Sequence, residues 1–361
     1  MISISKKFKI GNKIIGSNHP TFIIAEAGAN YKISKDIDKN FKHALKLIDI
    51  ASKAGADAVK FQLYRAKKLY VEKAGNADYI SNKKSIYDII KDMEMPYEWI
   101  PKLKKYCDKK NIIFLCTPFD EESVDELEKN NIQAYKTASY SISHIPLISY
   151  IAKKEKPMII STGASNLNDI KKAVNTIKKK GNKKISLMQC TAKYPAPLES
   201  INLNVISGLI KEFNVPVGLS DHSRDPIIAP MGAVALGARI IEKHFTTDNN
   251  LPGPDHNFAI LPDELELLVN SIRKLELALG KNLKSVQSYE KELYCFARRS
   301  IYAIKDIKKG KILNKENICV LRSGKHKKGL DPDKFENILG KKAIKDIKKG
   351  DPINEKNISK R

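Results

Sequence analysis

The sequence predicts an α/β fold: a (β/α)8 barrel followed by a small β-rich module. Three observations carry this. Short β-rich apolar runs alternate strictly with amphipathic helical stretches, eight times over. Such alternation marks a parallel sheet with right-handed crossovers. The eight units fill roughly 260 residues, the usual size of a barrel of this class. Polar residues gather at the C-terminal ends of the apolar runs, where such barrels place their active sites. A doubly wound open sheet is the alternative. It usually carries a GxGxxG loop after its first strand, and "AEAGAN" is not one.

The elements follow in order. "FIIAEAG" (22–28) is the first strand, and "NFKHALKLIDIASKAG" (40–55) follows with apolar residues at helical spacing. "AVKFQLY" (58–64) is the second strand. A long insertion and the helix around "EWIPKLKKYCDKK" lead to "IIFLCTP" (112–118). Next come "AYKTAS" (134–139), "PMIIST" (157–162), "ISLMQCT" (185–191), "PVGLSDH" (216–222) and "ARIIEKHF" (238–245). The helices between them are "EESVDELEKN", "IPLISYIAKKE", "LNDIKKAVNTIKKKG", "NVISGLIKEF" and "IIAPMGAVALG". "DELELLVNSIRKLELALG" (263–280) closes the series. The barrel is therefore placed at 1–280, a charged linker at 281–297 and the β-rich module at 298–361. Within the module, "IKDIKKGKILNKENI" (304–318) recurs as "IKDIKKGDPINEKNI" (344–358). Two copies are too few for a solenoid and predict one small domain with internal pseudo-symmetry.

Composition bounds the function. The 361 residues are 42% hydrophobic, enough for a sizeable core. No stretch approaches the roughly 20 apolar residues that span a bilayer. "MISISKKFKIGNKIIG" lacks the continuous apolar core of a signal peptide. The expectation is a soluble cytoplasmic protein without a membrane partner. The five cysteines (Cys107, Cys116, Cys190, Cys295, Cys319) form no CxxC pair, so neither a zinc ribbon nor a disulfide framework is indicated. The net charge of +24 is spread over dispersed lysines at helix ends, with no RNP-like or zinc-finger pattern. Solvated helix faces explain it better than nucleic acid, which is not expected as a partner.

The strand ends carry the chemistry. Glu26 ends the first. Lys60 and Gln62 lie two apart on the second, hence on one face. Thr117 ends the third, Lys136 and Ser139 the fourth, Ser161 the fifth. Gln189 lies on the sixth, Ser220 and His222 on the seventh, Glu242 and His244 on the eighth. Alternation sends Glu242 and His244 to one face and Ile241, Lys243 and Phe245 to the other. Two imidazoles from adjacent strands can converge on one divalent cation, and with waters or carboxylates they suit Mn2+, Mg2+, Fe2+ or Zn2+. The bland alternative has His222 capping a loop and His244 in a core hydrogen bond. Lys60 and Lys136, with Thr117, Ser139 and Ser220, suit a phosphate or carboxylate ligand. A Schiff-base lysine is the other reading, less favoured beside a metal. His256, in "PGPDHNFA", follows the eighth strand and is expected near the site.

Together "IIAEAGAN", "GADAVKFQ", "TPFDEESVD", "YKTASYSISHIPLI", "STGAS", "QCTAKYPAP", "GLSDHS", "GARIIEKHFT" and "LPGPDHNFAILPDEL" resemble the sialic acid synthase family, in family order. "RRSIYAIKDIKKG" and "VLRSGKHKKGL" resemble its antifreeze-like (SAF) domain. The resemblance covers nearly the whole chain. It implies condensation of phosphoenolpyruvate, an N-acetylmannosamine-type amino sugar and water into a nine-carbon 2-keto sugar acid such as N-acetylneuraminate, with release of phosphate. Legionaminate or pseudaminate synthesis is a close alternative. A metal-dependent pyruvate aldolase and a basic nucleic-acid-binding protein are more distant ones.

The resemblance also assigns residues. It implies a phosphoenolpyruvate pocket of Lys60, Lys136, Thr117, Ser139, Ser161 and Ser220. It makes His222 and His244 the metal ligands, with Mn2+ expected first and Mg2+ or Co2+ as substitutes. Glu26, Gln62, Tyr194 and Asp255 would hold the acceptor sugar and ordered waters. Glu242 would be the acid/base, and Glu26 is also placed to activate water. Arg322 of "VLRSG" would reach a sugar bound in the partner subunit, which implies a domain-swapped homodimer. Departures from the family pattern fall at Tyr31, Gln189, Lys193 and the "RSG" serine, Ser323.

Overall fold

The computed structural model describes residues 5–76, 85–281 and 283–360. Residues 1–4 of the N-terminal stretch, 77–84 of the insertion, Asn282 of the expected linker and Arg361 lie outside them. Two compact units divide the chain, Met1–Gly280 and Lys281–Arg361.

The first unit opens on a hairpin, β1 (Lys7–Ile10) and β2 (Lys13–Gly16). Eight strands follow: β3 (Phe22–Gly28), β4 (Ala58–Leu63), β5 (Ile113–Pro118), β6 (Tyr135–Thr137), β7 (Met158–Ser161), β8 (Ile185–Cys190), β9 (Val217–Asp221) and β10 (Ile240–His244). They form one sheet in the order β5-β4-β3-β10-β9-β8-β7-β6, and the ladders are parallel. The end strands β5 and β6 pack side by side, so the sheet closes on itself. The helices are α1 (Ile37–Lys53), α2 (Ala66–Leu69), α3 (Ile86–Asp92), α4 (Trp99–Lys109), α5 (Glu121–Lys129), α6 (Ile145–Ala152), α7 (Leu167–Lys179), α8 (Val205–Phe213), α9 (Ile228–Ala235) and α10 (Pro262–Leu279). The short α2 and α3 break up the insertion. Their starts obey local chemistry: Asp36 caps α1, Asp120 caps α5, and Asn166 with Asp169 forms a capping box on α7. All eight sequence-predicted strands are present, as are the helices between them.

Alternation sorts each strand into two faces. Outward apolar residues such as Ile23, Val59 and Ile241 meet the helices in the main core. Inward residues are apolar low in the barrel and polar high. Phe22 and Ile24 precede Glu26; Ala58 precedes Lys60; Leu115 precedes Thr117; Ile240 precedes Glu242. The hairpin adds Phe8, Ile10 and Ile15 to that inner cluster and so plugs the lower end. Lys13 on β2 ties it to Asp57 at 2.8 Å, and Arg273 of α10 holds the same carboxylate at 2.9 Å. One glycine is sterically required here. A Cβ on Gly218 would lie 2.4 Å from the Ile240 carbonyl oxygen and 2.5 Å from Met188 Sδ.

In the second unit, β11 (Arg299–Ala303) pairs antiparallel with β12 (Ile318–Arg322). Residues 281–297, expected as a linker, fall in this unit and carry the 3-10 turn Ser288–Glu290 and α11 (Lys291–Phe296). A short α12 (Phe335–Ile338) follows β12. The repeat is a structural pseudo-twofold. Ile307 N and Ile347 N each donate to the other's carbonyl at 2.8 Å. Asp346 accepts from Lys309 N and Asp306 from Lys349 N, at 2.9 and 2.8 Å. Asn317 and Asn357 accept from Asn314 N and Asn354 N alike, both at 2.9 Å.

Candidate active site

The polar upper ends of the strands form one connected set. Lys60 Nζ lies 2.7 Å from Glu26 Oε2 and donates to Thr117 Oγ1 at 3.1 Å. Gln62 Nε2 donates to Glu26 Oε1 at 2.8 Å. Lys136 Nζ donates to Ser161 Oγ at 2.6 Å. Both ammonium groups face the same oxygen, Glu242 Oε1, at 3.6 Å from Lys60 and 3.4 Å from Lys136. Ser220 Oγ donates to that oxygen too, at 3.1 Å. Ser139 Oγ accepts from Gly163 N at 3.1 Å and faces Cys190 Sγ at 3.3 Å. These four charged side chains are almost fully buried.

The two histidines stand beside this set. His222 Nδ1 meets the Thr191 carbonyl oxygen at 2.8 Å, and the Tyr194 ring stacks on the imidazole with centroids 4.2 Å apart. His244 meets His222 edge-on at 5.4 Å and Phe258 at 5.1 Å. Asp255 Oδ2 is 3.8 Å from His244 Nδ1. Asp255 in turn crowds Gly28, whose φ is +52°; a Cβ there would lie 3.1 Å from Oδ2 and 3.4 Å from Gln62 Nε2. Glu26, Gln62 and Asp255 therefore share one wall of the mouth.

Burial and neighbouring charge pull against each other at each group. Burial raises Glu26 above the usual carboxyl range, despite Lys60. Burial would raise Glu242 too, but Lys136 and Lys60 together hold it low. Burial pushes Lys136 down, with Glu242 only partly offsetting it, whereas Glu242 and Glu26 keep Lys60 high. Lys136 is thus short of negative charge, and an anion bound beside it would supply that charge. Burial pulls His244 well below the ordinary imidazole range, and a protonated His222 pushes the same way. Burial would lower His222 too, but Cys190 outweighs it and His222 is raised, so a cation there displaces a proton. Asp255 is pushed up to about 6, chiefly by burial.

The donor set fits a divalent cation held by two imidazoles. The Thr191 carbonyl occupies His222 Nδ1, the usual way a ligating imidazole is oriented. His244 is held neutral, the form that coordinates, and its buried Nδ1 has no hydrogen-bond partner in the described structure. No third His, Cys, Asp or Glu completes a three-residue cluster among the described residues. Remaining positions would fall to water or substrate oxygens.

Thirteen of the fourteen residues to which the family resemblance gives a role thus meet in the first unit: Glu26, Lys60, Gln62, Thr117, Lys136, Ser139, Ser161, Tyr194, Ser220, His222, Glu242, His244 and Asp255. Arg322 lies in the second unit, exposed at the end of β12. Two details differ from expectation, at Ser139 and His256, and two departures from the family pattern, Tyr31 and Gln189, find their places. Ser139 stands in the 3-10 turn Ser139–Ser143, because β6 ends at Thr137. His256 is fully buried and bonded through Nδ1 to Thr246 Oγ1 at 2.6 Å, so it supports the loop beneath Asp255. Tyr31 packs against Trp99 and donates to the Met93 carbonyl at 2.7 Å, within the outer core. Gln189 donates to the Ile201 carbonyl at 2.9 Å and holds the loop after β8.

Sequence reasoning missed Cys190, Phe258 and Gly163. Cys190 was legible as the inward residue two after Met188. Phe258 and Gly163 belong to loops, where periodicity says nothing. Ser323, which departs from the family pattern, is buried with its hydroxyl 3.0 Å from that of Ser300.

Comparison with known proteins agrees with this arrangement. The model of the NeuB family matches residues 47–284, and that of the SAF domain matches residues 298–359. The spore coat polysaccharide biosynthesis protein SpsE of Bacillus subtilis is 44% identical over 344 residues, 91% of either chain. Its crystal structure superposes with a TM-score of 0.66, covering 98% of this chain and 99% of that one. An N,N'-diacetyllegionaminic acid synthase of Campylobacter jejuni is 39% identical over 89% of this chain and 95% of its own length. The crystal structure of N-acetylneuraminic acid synthetase from Leptospira borgpetersenii, in complex with citrate, gives a TM-score of 0.71 at 34% identity, covering 81% of this chain and 97% of that one. The barrel with its polar mouth and the pseudo-twofold module after it are thus both accounted for: the chain belongs to the NeuB family, as an enzyme of the sialic acid synthase type that carries a SAF domain after the barrel.

Proposed function

We propose that the protein condenses phosphoenolpyruvate with the open-chain aldehyde of an N-acetylated amino sugar, releasing phosphate and a nine-carbon 2-keto acid. The observation that carries this is the pair of buried ammonium groups, Lys60 and Lys136, turned towards one oxygen of Glu242 and bonded to the hydroxyls of Thr117 and Ser161, with Ser220 on the same oxygen. Such a cradle suits a small, multiply charged anion. A divalent cation on His222 and His244, Mn2+ first, would polarise the aldehyde oxygen. Lys60, Lys136 and the hydroxyls hold the phosphate and carboxylate so that C3 faces the aldehyde carbon. As C3 attacks, positive charge develops at C2. Water adds there and gives up a proton to Glu242 as base, which passes it to the oxygen of the former aldehyde, now an alkoxide; the proton left on the added oxygen departs with the phosphate. The tetrahedral carbon then loses phosphate and becomes the 2-keto group. Glu26, Gln62, Tyr194 and Asp255 line the wall where the sugar would lie.

The likeness to an N,N'-diacetyllegionaminic acid synthase favours an amino sugar with two N-acetyl groups as a second acceptor beside N-acetylmannosamine. Phosphate release from phosphoenolpyruvate, measured with Mn2+ and a panel of both acceptor types, tests the reading. Release that depends on an amino sugar is expected. Turnover of free pyruvate instead would replace it with an aldolase. Activity should vanish after exhaustive chelation and return with Mn2+, Co2+ or Mg2+. Full activity in protein shown by elemental analysis to be metal-free would remove the cation.

Arg322 is proposed to complete the sugar site of a partner subunit in a homodimer. Its side chain is exposed, and no ion pair of it is found among the described residues. Mixing Arg322→Ala with Glu242→Ala under subunit exchange should raise activity well above either parent. No recovery in demonstrably exchanged dimers excludes a role across the interface.

A further inference from the structure

Lys243 is buried on the face of β10 that turns away from the barrel mouth, between Glu242 and His244. It cannot touch a substrate there. A buried ammonium is costly unless every donor is matched. Here each one is, and the acceptors share an origin. Its three N–H groups are met by Asp221 Oδ2 at 2.6 Å, the Ser223 carbonyl oxygen and the Asp225 carbonyl oxygen at 2.8 Å, with Ser223 Oγ a further acceptor within reach at 3.2 Å. All belong to 221–225, the segment that carries His222 out of β9. Lys243 and Asp221 are also register partners in the β9–β10 ladder.

The same segment is fixed from other sides. Asp221 Oδ1 accepts from Ser223 N at 2.9 Å, and the His222 carbonyl accepts from Ala196 N at 2.9 Å. His222 thus sits between two residues that are both clamped to Lys243, and His244 directly follows Lys243 in the chain. A hydrophobic residue at 243 would pack against the outer core with less desolvation cost. The polar tie therefore calls for a role that packing alone does not fill.

We propose that Lys243 is a positioning residue that sets the relative placement of the His222 and His244 imidazoles, and through it the affinity for a divalent cation. This rests on the reading of those histidines as metal ligands. Outer partners of metal ligands are worth roughly 10–100-fold in affinity.

The test is Mn2+ binding to metal-free protein, without substrates, by titration calorimetry well below the melting temperature. The variant is Lys243→Met combined with Asp221→Asn, which removes both charges and leaves neither unpaired. Circular dichroism confirms folding. A rise in the Mn2+ Kd of about 10–100-fold is expected. Arg273→Met is the structural control. It breaks the ties to Asp57 and Thr21 at the opposite end of the barrel, so it should lower the melting temperature and leave Mn2+ affinity alone. If the double variant behaves like Arg273→Met, Lys243 is only structural and the proposal falls. If the double variant does not fold, Ser223→Ala decides: a several-fold weaker Kd supports the proposal and an unchanged one overturns it. His244→Ala separates the two levels of inference. If wild type binds Mn2+ no better than His244→Ala, the metal reading itself fails, and Lys243 with it. If only His244→Ala loses binding, the metal reading stands and the positioning role is overturned alone.

Discussion

Glu242→Gln is expected to lower kcat for phosphate release by roughly 100-fold or more, the usual worth of a positioned base. The amide keeps an oxygen where Oε1 now accepts from Ser220 and faces Lys60 and Lys136, so the cradle stays assembled. With the carboxylate charge gone, both ammonium groups lose a competing anion, so the KM for phosphoenolpyruvate should fall or stay level rather than rise. What is lost is the capacity to take a proton. The atom in question is Oε2, buried without a hydrogen-bond partner in the described structure, on the residue two before His244. A kcat within about threefold of wild type would place the base elsewhere, and Glu26 would be next to examine.

Lys60→Ala and Lys136→Ala should each reduce kcat/KM for phosphoenolpyruvate by roughly tenfold to a hundredfold. That corresponds to about 1.5–3 kcal/mol for a charge-assisted hydrogen bond. The two variants should differ in stability. Lys60 pairs with Glu26 Oε2 at 2.7 Å, so its removal strands a buried carboxylate. Breaking a buried pair from one side costs about 3–5 kcal/mol, less any relief from protonation of Glu26. Lys136 is itself short of counter-charge, and its loss should lower the melting temperature less. Initial rates over a phosphoenolpyruvate series, with thermal melts, check both halves. Unchanged kinetic constants in both variants would remove the lysines from the pocket. Equal melting temperatures would contradict the pairing argument.

What the sequence determined by itself is whatever depends on local periodicity. Eight alternating units specify the barrel, since an apolar run bounded by turns and an amphipathic stretch are each legible within about a dozen residues. Period-2 alternation also shows which residues point inward at a strand end. Lys60, Glu242 and His244 could be placed facing the mouth for that reason alone. The repeat in the second unit was visible by letter matching, and its pseudo-symmetry followed.

Tertiary structure decided what depends on strands meeting. Nothing local says that Lys60 and Lys136, 76 positions apart in the chain, turn to the same oxygen of Glu242. The hairpin Lys7–Gly16 was read only as lacking a signal-peptide core; its alternation acquires meaning when the barrel offers an apolar lower end for Phe8, Ile10 and Ile15 to fill. Tyr31 stands in a motif near the mouth, yet its ring goes to the outer core, because a turn can aim a side chain either way and packing against Trp99 selects one. Lys243 is the clearest case. Alternation sends it outward among apolar neighbours, where a lysine is unfavourable on local grounds. Only the closed β9–β10 ladder supplies the carboxylate and carbonyls that make it stable there.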